Sequence, residues 1–346
     1  MQRGVLTERL DDDQERALVA WLEAVNLASQ GDDVVWPGWS LKRIPMAFYR
    51  ASGEALLVAH PSPLVAAHPI IVRTPSISQP IAYSIIAPPT VTGGARVLPY
   101  HGRRTLFLPL EWVGADQKSL ESYVATIWHQ SFHVWSARLH FLQNPGDAPI
   151  VESYPRLSAA NNALGHLEGL ILSDMLAEDD PQALRRRARE FALIRRERRA
   201  LLDDEIIGYE QALELSEGIA SWFEWQALQR AEAADYRPSE LFRELVGTDR
   251  YVYVSELQRD RLAELRRINV NGRGAARERF ERTGLALALL LDRLEPGWQA
   301  RIDRAGPTLD ELLERQVEFD GGAGDDAVIV ATEQRYDYDR ILLQEH

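Results

Sequence analysis

The sequence predicts an α+β protein: a small, mostly antiparallel β layer near the N-terminus, followed by a large helical body. Three observations carry that prediction. Residues 41–112 are rich in β-branched and aromatic residues and are broken by prolines at 61, 63, 69, 75, 80, 88 and 89, which marks short or edge strands. From about 116 to 318, apolar residues recur at helical spacing instead. The composition, 45% hydrophobic and 26% charged over 346 residues, is that of a globular chain long enough for one large domain or two modest ones.

Taken in order, residues 12–29 form an amphipathic helix with Leu18, Trp21, Leu22, Val25 and Leu27 on its apolar side, ended by Gly31-Asp32-Asp33. Strands are expected at 45–50, 55–60, 69–74, 81–86, 95–100 and 104–110, with His101-Gly102 as a hairpin turn. A long helix at 116–142 carries Trp128, Phe132, Trp135 and Leu139 as its apolar stripe, with Ser122, Thr126, His129, His133 and His140 on another face; Asn144-Pro145-Gly146 stops it. The helix at 157–177 buries Leu164, Leu167, Ile171 and Met175. It sets Glu168 among those apolar neighbours, where a carboxylate needs a partner.

From 181 the next helix is strongly basic, from Arg185 to Arg199. The helix at 203–230 places Glu210, Glu214, Glu217 and Glu224 on one acidic stripe, at i, i+4, i+7 and i+14. Helices at 238–247, 254–268, 274–294 and 308–317 come next, then a glycine-rich turn from Asp320, a short strand at 327–332 and a tail. The linear division is an N-terminal helix at 1–34, a β-rich part at 35–115, a helical domain at 116–320 and a C-terminal segment at 321–346.

Composition narrows the function. There are no cysteines, so a metal would be held by His, Asp and Glu. A net charge of −13 opposes a nucleic-acid surface, and the basic helix has a closer partner in the acidic helix after it. No apolar run approaches the roughly 18 residues a membrane span needs. The opening MQRGVLTERLDDDQER lacks a signal-peptide core, which predicts a cytoplasmic location. Lys42 and Lys118 are the only lysines.

The stretch with most chemical content is His129-Gln130-Ser131-Phe132-His133. Two histidines four residues apart leave one helix face together, the geometry of a metal pair. A zinc site without cysteine needs a third protein ligand, and a carboxylate on another helix must supply it.

Ser216-Glu217-Gly218-Ile219-Ala220-Ser221-Trp222-Phe223-Glu224 resembles the Asn-Glu-Gly-Phe-Ala-x-Tyr-x-Glu segment of gluzincin zinc metallopeptidases, notably the aminopeptidases. The stretch from His129 to His133 resembles that superfamily's His-Glu-x-x-His helix, which also comes earlier in the chain. The resemblance implies zinc held by His129, His133 and Glu217, with Gln130 at the position of the general base. The glycine after the glutamate suits a close approach of the two helices. The wider pattern, VVWPGW, then HPSP, then GLALALLLDRLEPGW, is similar to an uncharacterised family of bacterial peptidase-like proteins.

The chain departs from the gluzincin pattern in three ways. Gln130 replaces the catalytic glutamate, Glu217 comes 84 positions after His133, and no exopeptidase motif precedes the zinc helix. A glutamine cannot take a proton from water and pass it to a leaving amine, and loss of a general base costs on the order of 10²–10⁴ in rate. Glu168 and Glu214 are the carboxylates available to substitute, although pairing with Arg195 or Arg198 as buried structural acids is the favoured account of both. Tyr209, Tyr251 and Tyr253 are the oxyanion-donor candidates.

The expectation is therefore an impaired or inactive metal-dependent hydrolase. Any surviving activity would act on a peptide or a small amide or ester through water activated by zinc. The alternative is a non-catalytic scaffold or helical interaction protein that keeps the fold.

Overall fold

The computed structural model describes residues 10–30, 35–61, 68–70, 82–88, 90–91, 93–113, 117–137, 154–155, 157–267, 276–302, 306–319 and 322–345. The protein is α+β, as its residue patterns predict, with a mixed sheet near the N-terminus and a large helical body after it. It divides into two compact units. The first combines Met1–Arg138 with Phe223–Ser255, and the second combines Leu139–Trp222 with Glu256–His346. This differs from the linear division because the chain leaves the first unit after the motif helix and rejoins it part-way along a later one.

In the first unit, α1 (Asp12–Ser29) opens on a capping box, in which Asp11 accepts from the Gln14 N–H and Gln14 answers to the Asp11 N–H. The strands are β1 (Met46–Tyr49), β2 (Glu54–Val58), β3 (His68–Ile70), β4 (Ala82–Ile86), β5 (Arg96–Tyr100) and β6 (Arg103–Pro109). They lie in the order β3-β4-β2-β1-β6-β5. Each pairing is antiparallel except β1 with β6, which run parallel.

All of β1 is buried because the sheet is covered on both faces. Tyr49, Leu57, Ile85 and Phe107 form the core on one face. On the other, Phe48 lies 6.2 Å from Tyr123 of α2 (Gln117–Ser136). His101 and Gly102 both take positive φ, 45° and 77°, so the expected hairpin is a two-residue turn whose twist matches that of the strands. Residues 71–74 of the expected third strand, and 116 and 138–142 of the motif helix with His140, lie outside the described residues.

In the second unit, α3 (Ala159–Leu176) packs on α4 (Pro181–Arg199). The chain continues through α5 (Asp204–Leu213), a single π turn (Glu214–Gly218) and α6 (Ile219–Glu232), which carries it back into the first unit at Phe223. Next come α7 (Glu240–Val246) in the first unit and α8 (Val254–Ala263) across the division in sequence, then α9 (Ala276–Leu294), α10 (Leu309–Glu314), α11 (Ala323–Tyr336) and α12 (Tyr338–Glu345).

The strand expected at 327–332 is a correction, since those residues lie inside α11. The run Val328-Ile329-Val330 favours a strand by propensity, but Asp325 and Asp326 suit a helix N-terminus. Tertiary pairing then holds the helix, through Arg189 with Asp325 at 2.7 Å and Arg335 with Glu190 at 2.6 Å.

Gly218 also plays a part other than the expected one. A Cβ there would come within 2.4 Å of Gly284 Cα, so the close approach is between the π turn and α9. The glycine pair lets those two backbones touch.

Candidate metal centre

The rotation of α2 about its own axis is set by its aromatic side. Trp128, Phe132 and Trp135 are buried, and three indole N–H groups fix the register of the helix. Trp128 donates to the Ala24 carbonyl at 3.1 Å, Trp135 to the Gly38 carbonyl at 2.9 Å, and Trp39 to Ser131 Oγ at 3.2 Å. Phe132 packs at 4.6 Å on Phe223 of α6, with Trp36 and Trp39 against the same ring. With the apolar side engaged, His129 and His133 leave the helix on another face.

The two imidazoles converge: His129 Nε2 and His133 Nε2 are 3.1 Å apart. Tetrahedral zinc with Zn–N bonds of 2.0–2.1 Å sets its nitrogen ligands about 3.3 Å apart, so this spacing matches two ligands of one ion. Ligand atoms of His129, His133 and Glu217 all lie within 4.8 Å of one another, and Glu217 is 4% exposed. A His129, His133, Glu217 cluster that could hold a metal ion is thus assembled. Two nitrogens and one oxygen, with no sulfur, are a donor set that suits zinc, and three protein ligands leave a position open.

Glu224 is the residue that sequence reasoning misses. Its spacing places it on an acidic stripe, but its Oε1 sits 3.2 Å from His129 Nδ1, and both side chains are about nine-tenths buried. A carboxylate at that distance favours the tautomer that carries its proton on Nδ1 and leaves the Nε2 lone pair for a metal, as the partners of metal-binding histidines commonly do. The signal is present in the spacing. Glu224 comes seven residues after Glu217, which sits in the π turn that leads into the same helix, so the segment that brings Glu224 to His129 also carries Glu217.

The acidic stripe does not stay whole. The π turn inserts an extra residue into the helix and changes the facing of the residues beyond it. Glu210 and Glu214, before or at its start, meet arginines. Glu217 and Glu224 meet the histidine helix.

The two carboxylates considered as substitute bases lie in that arginine cluster. Glu168 accepts from Arg198 Nε at 2.5 Å and from Arg195 Nη2 at 3.0 Å. Burial raises its pKa, but the two guanidiniums outweigh burial and hold it at about 2, too low for a base near neutral pH. Glu214 accepts from Arg195 at 2.9 and 3.0 Å and from Thr283 at 2.7 Å; burial pushes its pKa up against the pull of Arg195. Both act as structural anions.

Gln130 is half-buried beside His129 on α2. Of the tyrosines, Tyr209 is in a core cluster with Leu213 and Phe280, and Tyr251 stacks on Phe242 at 4.9 Å. Tyr253 gives its backbone N–H to Glu121 at 2.8 Å. His166 sits near Glu345, at 4.0 Å. Among the described residues, no helix is long and apolar enough to cross a membrane.

Comparison with protein-family models, with curated proteins and with solved structures gave no match.

Proposed function

We propose that this chain is a gluzincin-like zinc protein with an attenuated or lost hydrolase activity. His129, His133 and Glu217 hold the ion and Glu224 orients His129. The observation that supports it most is the convergence of three ligand groups from two helices, with a carboxylate behind one imidazole. When bound, zinc supplies Lewis acidity and brings the pKa of a bound water to about 7.

The chain's own part is to fix the ligands, exclude solvent from His129 and Glu217, and present Gln130 where a proton acceptor would stand. A neutral amide neither accepts that proton nor returns it to a leaving group. A peptide or small amide or ester is the substrate class for any activity that persists. The acidic balance of the chain fits a cytoplasmic protein that binds neither nucleic acid nor membrane.

A non-catalytic scaffold, with the metal as a structural pin, is the second reading. The saturation of Glu168 and Glu214 by arginines favours it, since neither is left to replace the missing base.

Elemental analysis of the purified protein should find close to one equivalent of zinc, lost in His133→Ala. Less than about a tenth of an equivalent would remove the site. Hydrolysis of peptide and ester panels by the wild type and by Gln130→Glu then separates the two readings. A gain of about 10²-fold or more over a measurable baseline marks an attenuated hydrolase, and a zinc-loaded pair that cleaves nothing marks the scaffold.

A further inference from the structure

A second concavity, of about 740 Å³, lies in the first unit where the segment after Trp36 meets β6 and the end of α2. Its floor is apolar: Ile44, Val134 and Trp135 are each no more than 9% exposed. Its rim carries Lys42, Arg43, Arg103 and Arg104, all exposed. Among the described residues no Asp or Glu lines it, in a chain with 52 acidic residues against 39 basic ones.

None of the four rim cations forms an ion pair among the described residues, whereas the arginines of α4 are extensively paired. One of the chain's two lysines is here. On α2, Val134 and Trp135 are turned about 100° and 200° from His133, so the concavity opens on a different side of the helix from the converging imidazoles.

We infer that this groove is a binding site for a free amphipathic carboxylate, an organic acid with a hydrocarbon or aromatic body of roughly ten carbons. The volume lies within the roughly 300–1,000 Å³ of small-ligand sites. The floor offers apolar area that a purely polar anion would leave wet. Arg103 and Arg104 carry planar forks of the kind that match a carboxylate two bonds at a time, and Lys42 and Arg43 add further charge to the lining. The packing of Trp135 on Trp36 and Phe132, with its N–H on Gly38, keeps the floor rigid before a ligand arrives. The site is separate from the metal centre and does not depend on it.

The test is isothermal titration of the full chain, with and without chelator, using decanoate, decanol, decylammonium and inorganic phosphate. Decanoate should bind with a dissociation constant below about 1 mM, and the other three at least about tenfold more weakly. Arg103→Ser/Arg104→Ser should weaken decanoate about tenfold and leave the circular dichroism spectrum unchanged, since both side chains are exposed. Lys42→Ser/Arg43→Ser should do the same and serves if the first variant misfolds. Decanol binding as tightly as decanoate, full affinity in both variants, or binding to anionic lipid vesicles with none of free decanoate would each overturn the assignment.

Discussion

The arginine cluster of the second unit and the histidine centre are built from the same helix run and the same residue type, yet they do opposite things. Glu210 and Glu214 face Arg198 and Arg195, at 2.7–3.0 Å, in an interior closed to water. Arg198 is fully buried and also bridges to Glu168 and Asn161. A guanidinium stays charged at any accessible pH, so each of these carboxylates keeps a cation beside it. Glu217 and Glu224 instead face imidazoles, whose neutral form offers a lone pair that a metal can take. A buried glutamate becomes a structural anion or a ligand according to what stands opposite it, and one π turn decides which.

The largest effect expected in breaking this contrast comes from Arg198→Met. It leaves Glu168 and Glu210 buried without their shared cation and should cost about 3–5 kcal/mol in denaturant unfolding; a loss under about 1 kcal/mol would mean that the cluster is not the strut described. Next is acid. Glu168 and Asp310 have pKa values of about 2, below their ordinary 4.5 and 3.8: burial opposes ionisation in each, but Arg195 and Arg198 around Glu168, and Arg199 and Arg195 around Asp310, outweigh it. Their stabilisation is present above the ordinary values and is lost as pH falls from about 4.5 towards 2, on the order of 3 kcal/mol for Glu168 alone.

For Glu23 and Glu121 of the first unit the sign reverses, as it does for Glu214 of the second. Burial raises the pKa of Glu23 and of Glu121, which accept hydrogen bonds from Tyr236 and the Ser239 N–H and from the Val252 and Tyr253 N–H groups respectively. Their contribution is present below 4.5 and lost as pH rises through the raised values. Hydrogen exchange between pH 5 and 2.5 should therefore show the helices that carry Glu168 and Asp310 loosening before those that carry Glu23 and Glu121.

Gly218→Ala should cost about 1–3 kcal/mol, because the new methyl meets the backbone of Gly284 rather than a movable side chain. Glu224→Gln should leave the fold in place and weaken zinc about 10–100-fold in a chelator competition. An unchanged affinity would show that the carboxylate behind His129 plays no part in orienting it.

Much of the molecule is legible in the sequence because its local signals agree with its tertiary ones. The helix at 12–29 and the hairpin at His101-Gly102 come from periodicity and turn chemistry. The pairing of Glu168 with Arg195 and Arg198 comes from the cost of burying a charge alone. Where local and tertiary signals disagree, the sequence misleads: Val328-Ile329-Val330 reads as a strand and is held as a helix by ion pairs to α4.

By itself the sequence determined the α+β class, the two histidines on one helix face and the absence of sulfur ligands. The resemblance of the 216–224 segment named Glu217 as their third partner, but spacing alone did not, because the answer depends on how two helices distant in the chain are rotated about their own axes. The indole hydrogen bonds of Trp128, Trp135 and Trp39 set that rotation for α2, and the π turn at Glu214–Gly218 sets it for the glutamates. A rotation is a property of packing, and no spacing rule encodes it.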